Sequence, residues 1–379
     1  FIGRGLPRRK PPQALLPAEV PYRGSDQDSN IVKENAMTSR LFATVLFCVV
    51  SLGLSYQAAA QNPGEENTKK AQAGMKFLSA SLDPRAAAIG GAATTFELRS
   101  VSMFYNPAGM AHMEEFGHFA VGTMQWIADI NYNQASFALR PTDGRYGVFG
   151  LTLLQVDYGD LEGTIRADNE QGYLSTGNFS PTALAVGIGY AYPVTDRVSV
   201  GGNVKYVVQD LGDSIMDADG TTKSNRLGTT AYDFGIRYDT KYRGLIFAMN
   251  ARNFSPAVTY EQESFELPLE LSVGLSADLM TLTNRAPTLS ENHSFTMSVN
   301  GVTTRDFSER MHFGGEYTFM NTFSLRAGYA VPGTDFEDGL SLGAGLQLSA
   351  GDIELGADYA YTRFDVFGDV NRIALNVGF

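Results

Sequence analysis

The chain has 379 residues and a formal net charge of −12, and only 18% of its residues are charged, below the roughly 25% of a soluble globular domain. Its 40 glycines, 24 phenylalanines and 18 tyrosines do not suit a soluble α/β enzyme. They suit an all-β protein with one wet face and one greasy face. The acidic balance argues against nucleic acid as a partner, because phosphate binding needs clustered Lys and Arg.

Residues 1–36 begin with Phe1 and include Arg8-Arg9-Lys10-Pro11-Pro12. They read as an upstream translation artefact or as a disordered extension. Met37 reads as the start of a secretory signal over 37–60. Arg40 supplies the positive end, Leu41–Leu54 is an apolar run too short to span a bilayer, and Ala58-Ala59-Ala60 is a small-residue cleavage site before Gln61. Cys48 is the only cysteine and lies inside that run. Cleavage between Ala60 and Gln61 therefore leaves no disulfide framework. Residues 61–72 are a polar lead-in.

Residues 73–113 are rich in Ala, Gly and Ser and are too apolar for a free linker, so they are expected to be buried as a plug, or hatch. Phe77, Leu78 and Leu82 fit a short helix stopped by Asp83-Pro84. Arg85–Ile89 starts another, ended by Gly90-Gly91. Phe104–Met110 is a kinked turn, with Asn106 held extended by Pro107 and the next turn freed by Gly109.

From Phe116 onward apolar residues alternate in fourteen blocks of about ten residues, the length a tilted membrane strand needs. The blocks are 116–127, 130–140, 145–157, 182–192, 197–209, 228–239, 244–253, 268–279, 293–303, 309–319, 322–332, 339–349, 352–362 and 371–379. Even-numbered connections are mostly tight turns, such as Met320-Asn321. Odd-numbered ones are mostly longer, such as Tyr158–Pro181 and Arg363–Val370. That sorting predicts a fourteen-stranded antiparallel transmembrane barrel over 114–379, in a bacterial outer membrane, with both termini on the short-turn side. Its apolar face meets outer-membrane lipid. Ile373, Leu375, Val377 and Phe379 end the chain as an alternating strand with a terminal aromatic, the form of signal read by the barrel-insertion machinery.

Phe77-Leu78, Pro84-Arg85-Ala86-Ala87-Ala88-Ile89-Gly90-Gly91-Ala92 and Tyr105-Asn106-Pro107-Ala108-Gly109-Met110 resemble the opening signature of the PorV/PorQ family. These are outer-membrane barrels of the FadL-like superfamily, and the Asn-Pro-Ala element is similar to one in the FadL hatch. The resemblance implies a plugged fourteen-stranded barrel. It further implies an accessory of type IX secretion that holds translocon subunits or secreted proteins through its long outer loops. The alternative is a FadL-like transporter passing a small hydrophobic solute. A lateral wall gap and a greasy pocket beside Phe104-Tyr105 would favour transport; a sealed wall, a full lumen and apolar loop tips would favour protein contacts. Phe254, Phe265, Phe336, Phe364 and Phe367 lie in or beside the long loops, either as such contacts or as rim-girdle residues.

Within the plug, Pro84, Arg85, Gly90, Gly91, Asn106, Pro107, Ala108 and Gly109 are the candidate gate positions. Asn106-Pro107-Ala108 reads either as a structural turn closing the plug or as a gate whose shift opens a path. Lys205, Asp233, Arg237, Arg252, Glu316, Arg326, Glu354, Asp358 and Arg372 face the lumen by alternation. Their mixed signs predict an ion-paired filling, since charges away from water need partners. Gly201-Gly202 and Gly343-x-Gly345 read as strand kinks or aromatic packing partners. No cofactor and no metal is expected: Asp213, Asp217 and Asp219-Gly220 faintly suggest calcium, and Ile215 breaks the alternation of ligands. No G-x-S-x-G or H-E-x-x-H pattern appears, so no catalytic residue is named.

Overall fold

The computed structural model describes residues 73–215, 222–283, 292–305, 309–331, 339–364 and 368–379. The expected extension, the signal segment with its Ala60–Gln61 junction and the polar lead-in lie outside these residues. So do Asp217, Asp219, Phe336 and Phe367.

Fourteen strands form a closed barrel in which every strand is antiparallel to both neighbours. In chain order they are β1 (Gly117–Gln125), β2 (Asn131–Leu139), β3 (Val148–Asp157), β6 (Thr182–Pro193), β7 (Val198–Ile215), β8 (Thr222–Asp239) and β9 (Leu245–Phe254), followed by β12 (Glu270–Asp278), β13 (His293–Thr304), β14 (Arg310–Phe319), β15 (Phe323–Val331), β16 (Leu340–Ala350), β17 (Ile353–Phe364) and β18 (Gly368–Gly378). Each corresponds to one expected block. Two small hairpins interrupt the series, β4 (Leu161–Arg166) with β5 (Tyr173–Phe179), and β10 (Val258–Tyr260) with β11 (Glu263–Phe265). They fill the long connections between β3 and β6 and between β9 and β12.

Alternation does the sorting. In β18 Ile373 and Leu375 point outward and are more than half exposed, while Arg372 and Ala374 are buried. Ile188, Val204, Phe234, Leu325 and Leu355 repeat this around the ring. An exposed apolar belt of this extent is stable only against lipid. The protein is therefore a barrel of the bacterial outer membrane. Closure is by β1 on β18, where Gly117 and Phe379 exchange backbone hydrogen bonds of 2.8 and 2.9 Å. The Phe379 ring lies 6.5 Å from that of Phe116.

Two expectations need correction. The link between β17 and β18 is short, residues 365–367, because both strands run past the expected block ends. β7 and β8 overrun in the same way, to 18 residues each, about twice what the bilayer needs. The long-connection rim is therefore built as much from overhanging strands as from loops. Secondly, β1 begins and β18 ends at the short-turn rim as expected, but Ala73 does not lie there. It bridges to Glu266 at the long-connection rim, with Gly74 N donating to Glu266 O at 3.0 Å. Residues 73–113 cross from one rim to the other before β1 starts.

Candidate functional site: the lumen and the segment inside it

Residues 73–113 lie inside the ring. They form a 3-10 turn at Lys76–Ser79, a single α-helical turn at Pro84–Ala88, and 3-10 turns at Arg99–Phe104 and Pro107–His112. Asp83-Pro84, expected as a helix stop, is a helix start. The Asp83 carboxylate accepts from Ala86 N at 3.0 Å and Pro84 takes the first helical position, where its missing N–H costs nothing. Gly90 and Gly91 end the turn at φ of 64° and 78°, a conformation that glycine adopts freely. Asn106 starts the last turn. Its side chain accepts from Ala108 N at 3.1 Å and donates to Thr94 O at 2.8 Å, and the residue is 1% exposed. Pro107 again occupies the first position.

The helix at 84–88 rests on β15–β18 and the turn at 107–112 on β6–β8, on nearly opposite sides of the ring. Wall glycines make the approach possible. A side chain at Gly201 would come within 2.5 Å of Ala108 N, and one at Gly343 within 2.5 Å of the Ala88 side chain. At Gly328 it would overlap the Ile89–Gly90 backbone, and at Gly235 the Asn106 amide. Gly201 and Gly343 are thus neither kinks nor aromatic partners; Gly201 seats the Pro107–Ala108 backbone and Gly343 the Ala88 side chain. Gly109 is packed against Ser102 and Phe96.

All nine predicted lumen charges face inward and eight of them form ion pairs; the inner segment takes part directly at Glu316, Arg237 and Glu354. Glu316 receives Arg85 through two hydrogen bonds of 2.7 and 2.8 Å and Arg326 at 2.5 Å; Arg326 also reaches Asp358 at 2.5 Å. Arg237 pairs with Glu97 at 2.6 Å, Lys205 with Asp233 at 2.9 Å and Arg252 with Glu270 at 2.7 Å. Glu354 pairs with Arg99, which also holds Glu115 at 2.8 Å. Arg372 instead donates to the carbonyl of Ser81 at 2.7 Å. Arg252 likewise donates to the carbonyl of Phe104 and Asn250 to that of Tyr105. Wall side chains thus satisfy carbonyls that a segment without regular structure leaves open.

The lumen has two halves. Toward the short-turn rim, a void of about 360 Å³ is lined by Asp83, Arg85, Glu97, Arg99, Glu316 and Glu354 among others. Burial, with the carboxylate of Asp358 nearby, pushes Asp83 up to about 6. Burial beside Arg237 pushes His112 down to about 4. Toward the long-connection rim the lumen is apolar. Met75, Phe77, Leu78 and Leu82 pack on Leu154, Val156, Val207, Leu267, Phe364 and Val370. Trp126, the only tryptophan, meets Phe364 edge-on at 4.8 Å and lies under the Arg372 guanidinium at 5.9 Å. Phe364 is therefore a lumen residue and Phe265 half-buried against Gly74, so neither is a loop tip; Phe254 is exposed.

Alternation alone missed this apolar half, yet a signal was there. At the long-connection ends of β1, β3 and β18 the pattern inverts. Met124, Val156 and Val370 are buried inside, while Gln125, Gln155 and Asn371 are exposed outside. A small second void of about 30 Å³ lies beside Phe104 and Tyr105, lined also by Leu82, Met103, Asn203 and Arg252. The wall around it is not open. Every neighbouring strand pair is hydrogen-bonded, and the barrel's register shifts are a bulge between β8 and β9 at Asp233 and one between β7 and β8.

No protein-family model matches the sequence, and no curated protein matches it. Solved structures do. The chain is similar to the CymD monoaromatic hydrocarbon channel, with a TM-score of 0.51 and 14% identity over 79% of this chain and 97% of that one. It is similar to the Ralstonia pickettii toluene transporter TbuX, with a TM-score of 0.50 and 14% identity over 78% and 97%. At such identities the likeness is one of fold. It shows the fold alone and lends nothing to the PorV/PorQ resemblance.

Proposed function

We propose that this protein passes small hydrophobic solutes across the outer membrane, with residues 73–113 as its plug. The observation that carries the reading is the apolar half of the lumen at the long-connection rim, floored by the plug. A water-filled pore needs a polar lining; an apolar packing of plug on wall, with a small void beside Phe104 and Tyr105, suits a solute that leaves water readily. The fold shared with a hydrocarbon channel and a toluene transporter supports the same reading. Asn106-Pro107-Ala108, Gly90-Gly91 and Arg85 then fasten the plug to the wall. The test is uptake of labelled toluene by cells with and without the protein. Several-fold faster uptake is expected; equal rates would remove the proposal.

The unbroken wall favours a second reading, an accessory of type IX secretion in which the barrel is a scaffold and its outer rim holds translocon subunits or secreted proteins. Crosslinking in native outer membrane separates the two. Recovery of a translocon subunit would support the scaffold, and recovery of the barrel alone would leave transport.

A further inference from the structure

The void beside Phe104 and Tyr105 contains more chemistry than a hydrocarbon needs. Its walls are mostly apolar, from Leu78, Leu82, Met103, Phe104 and Leu154. Tyr105, Thr152, Asn203, Lys205 and Arg252 also line it, and of these Asn203 and Arg252 each carry an atom with no partner. Asn203 is 4% exposed; its Nδ2 donates to Asp233 at 3.0 Å, and its Oδ1 accepts nothing. Arg252 is 9% exposed; its two terminal nitrogens serve the carbonyl of Phe104 and the carboxylate of Glu270, and its Nε–H donates to nothing. A buried polar atom left unpaired is costly, and here the residues that carry one such donor and one such acceptor line the same void.

The charges around it are cancelled. Lys205 is held by Asp233 at 2.9 Å and by Asn253 Oδ1 at 2.6 Å, and Arg252 by Glu270 at 2.7 Å. No cation is left over to receive a carboxylate head. A carboxylate would also bring Asp233 and Glu270 against a second anion. A group that is neutral, accepts one hydrogen bond and donates one is a hydroxyl. The void of about 30 Å³ is of the size that one such oxygen needs, and the rest of the molecule would take the place of apolar plug side chains such as Leu78 and Leu82, which line it.

We propose that this pocket selects small neutral hydrophobes carrying one hydroxyl group, with Asn203 Oδ1 accepting from the hydroxyl and Arg252 Nε–H donating to it. The inference rests on the transport reading and narrows its substrate class. Asn203 and Arg252 are specificity-determining residues, and Asp233 and Glu270 keep anionic amphiphiles out.

The test is calorimetric titration of the purified full chain in detergent, corrected for partition into protein-free micelles. The probes are three of similar size: cyclohexanol, methylcyclohexane and cyclohexanecarboxylate. The alcohol is expected to bind about tenfold more tightly than the alkane, and the carboxylate more weakly than either. Asn203→Leu is expected to erase the alcohol's advantage while leaving the alkane's affinity within about twofold. A merely structural Asn203 would weaken both alike. Equal affinity of alcohol and alkane for the native chain, the result if the site holds only a buried water, would overturn the hydroxyl assignment and leave transport standing. No measurable binding of any probe would overturn both.

Discussion

The two halves of the lumen are filled by opposite means. The half at the long-connection rim is held by apolar contact, with Phe77, Leu78 and Leu82 packed on wall residues such as Val156 and Leu267. Burying one such side chain stabilises by about 1.5–3 kcal/mol without demanding a particular partner. The half at the short-turn rim is held by charges, Arg85 and Arg326 on Glu316 and Asp358. There each group depends on named partners, and losing one strands another. Apolar packing tolerates a sliding solute; a paired network has one arrangement. The inner segment is thus adaptable toward the long-connection rim and locked toward the short-turn rim.

The largest expected effect is geometric and strikes both halves. Gly328→Val puts a side chain where the Ile89–Gly90 backbone lies, so the plug is expected to leave its seat. Protease cleavage within 73–113 of the purified barrel should rise sharply; unchanged resistance would show that the seat is dispensable. Next comes the lock. Glu316→Gln leaves Arg85 and Arg326 facing a neutral amide, and a loss of about 3–5 kcal/mol is expected in denaturant unfolding. The apolar half should be more forgiving: Leu82→Ala, at a buried position, is expected to cost about 3 kcal/mol, with the plug still in place. Equal plug release by Leu82→Ala and Glu316→Gln would erase the distinction between the halves.

Acid sharpens the comparison, because two plug groups in the charged half titrate abnormally and in opposition. His112 is neutral when folded down to about 4, whereas the unfolded chain protonates it below roughly 6.5. Its contribution to stability is lost as pH falls through that window. Asp83 is protonated in the fold below about 6 and in the unfolded chain only below roughly 4, so its contribution rises as pH falls. Asp83→Asn, which keeps a capping oxygen, is expected to melt higher than the native chain at pH 8 and to lose the acid gain. It should therefore fall more steeply between pH 6.5 and 4. Parallel melting curves for the two proteins would show that Asp83 is not buried as described. The smallest effect belongs to an exposed pair outside both halves. Lys241→Ala, which removes the contact to Asp239 at 3.0 Å, should change stability by less than about 0.5 kcal/mol.

Much of the barrel was legible because alternation is a local property. A strand with lipid on one side and a lumen on the other must repeat every two residues, and all fourteen strands showed it. The hairpins did not: β4–β5 is mostly exposed on both faces, so no alternation is imposed, and β10–β11, with three residues a strand, is too short to show a period although Val258 is buried. The lumen charges were legible for the same reason as the strands, but their partners were not. Arg85 and Glu316 are 231 residues apart in the chain, and only closure of the ring brings them together.

The sequence by itself determined the strand number, the antiparallel order and the inward set of charges, because each follows from a period of two and from the sorting of short and long connections. It also determined where the inner segment turns, through Asp83-Pro84, Gly90-Gly91 and Asn106-Pro107. Tertiary structure alone decided that Ala73 starts at the long-connection rim, that Gly201, Gly328 and Gly343 are seats for the plug, and that one half of the lumen is apolar. The physical reason is that an inward apolar residue such as Val156 or Val370 has the same local pattern as a lipid-facing one. Which of the two it is depends on where the membrane ends and what the closed ring encloses.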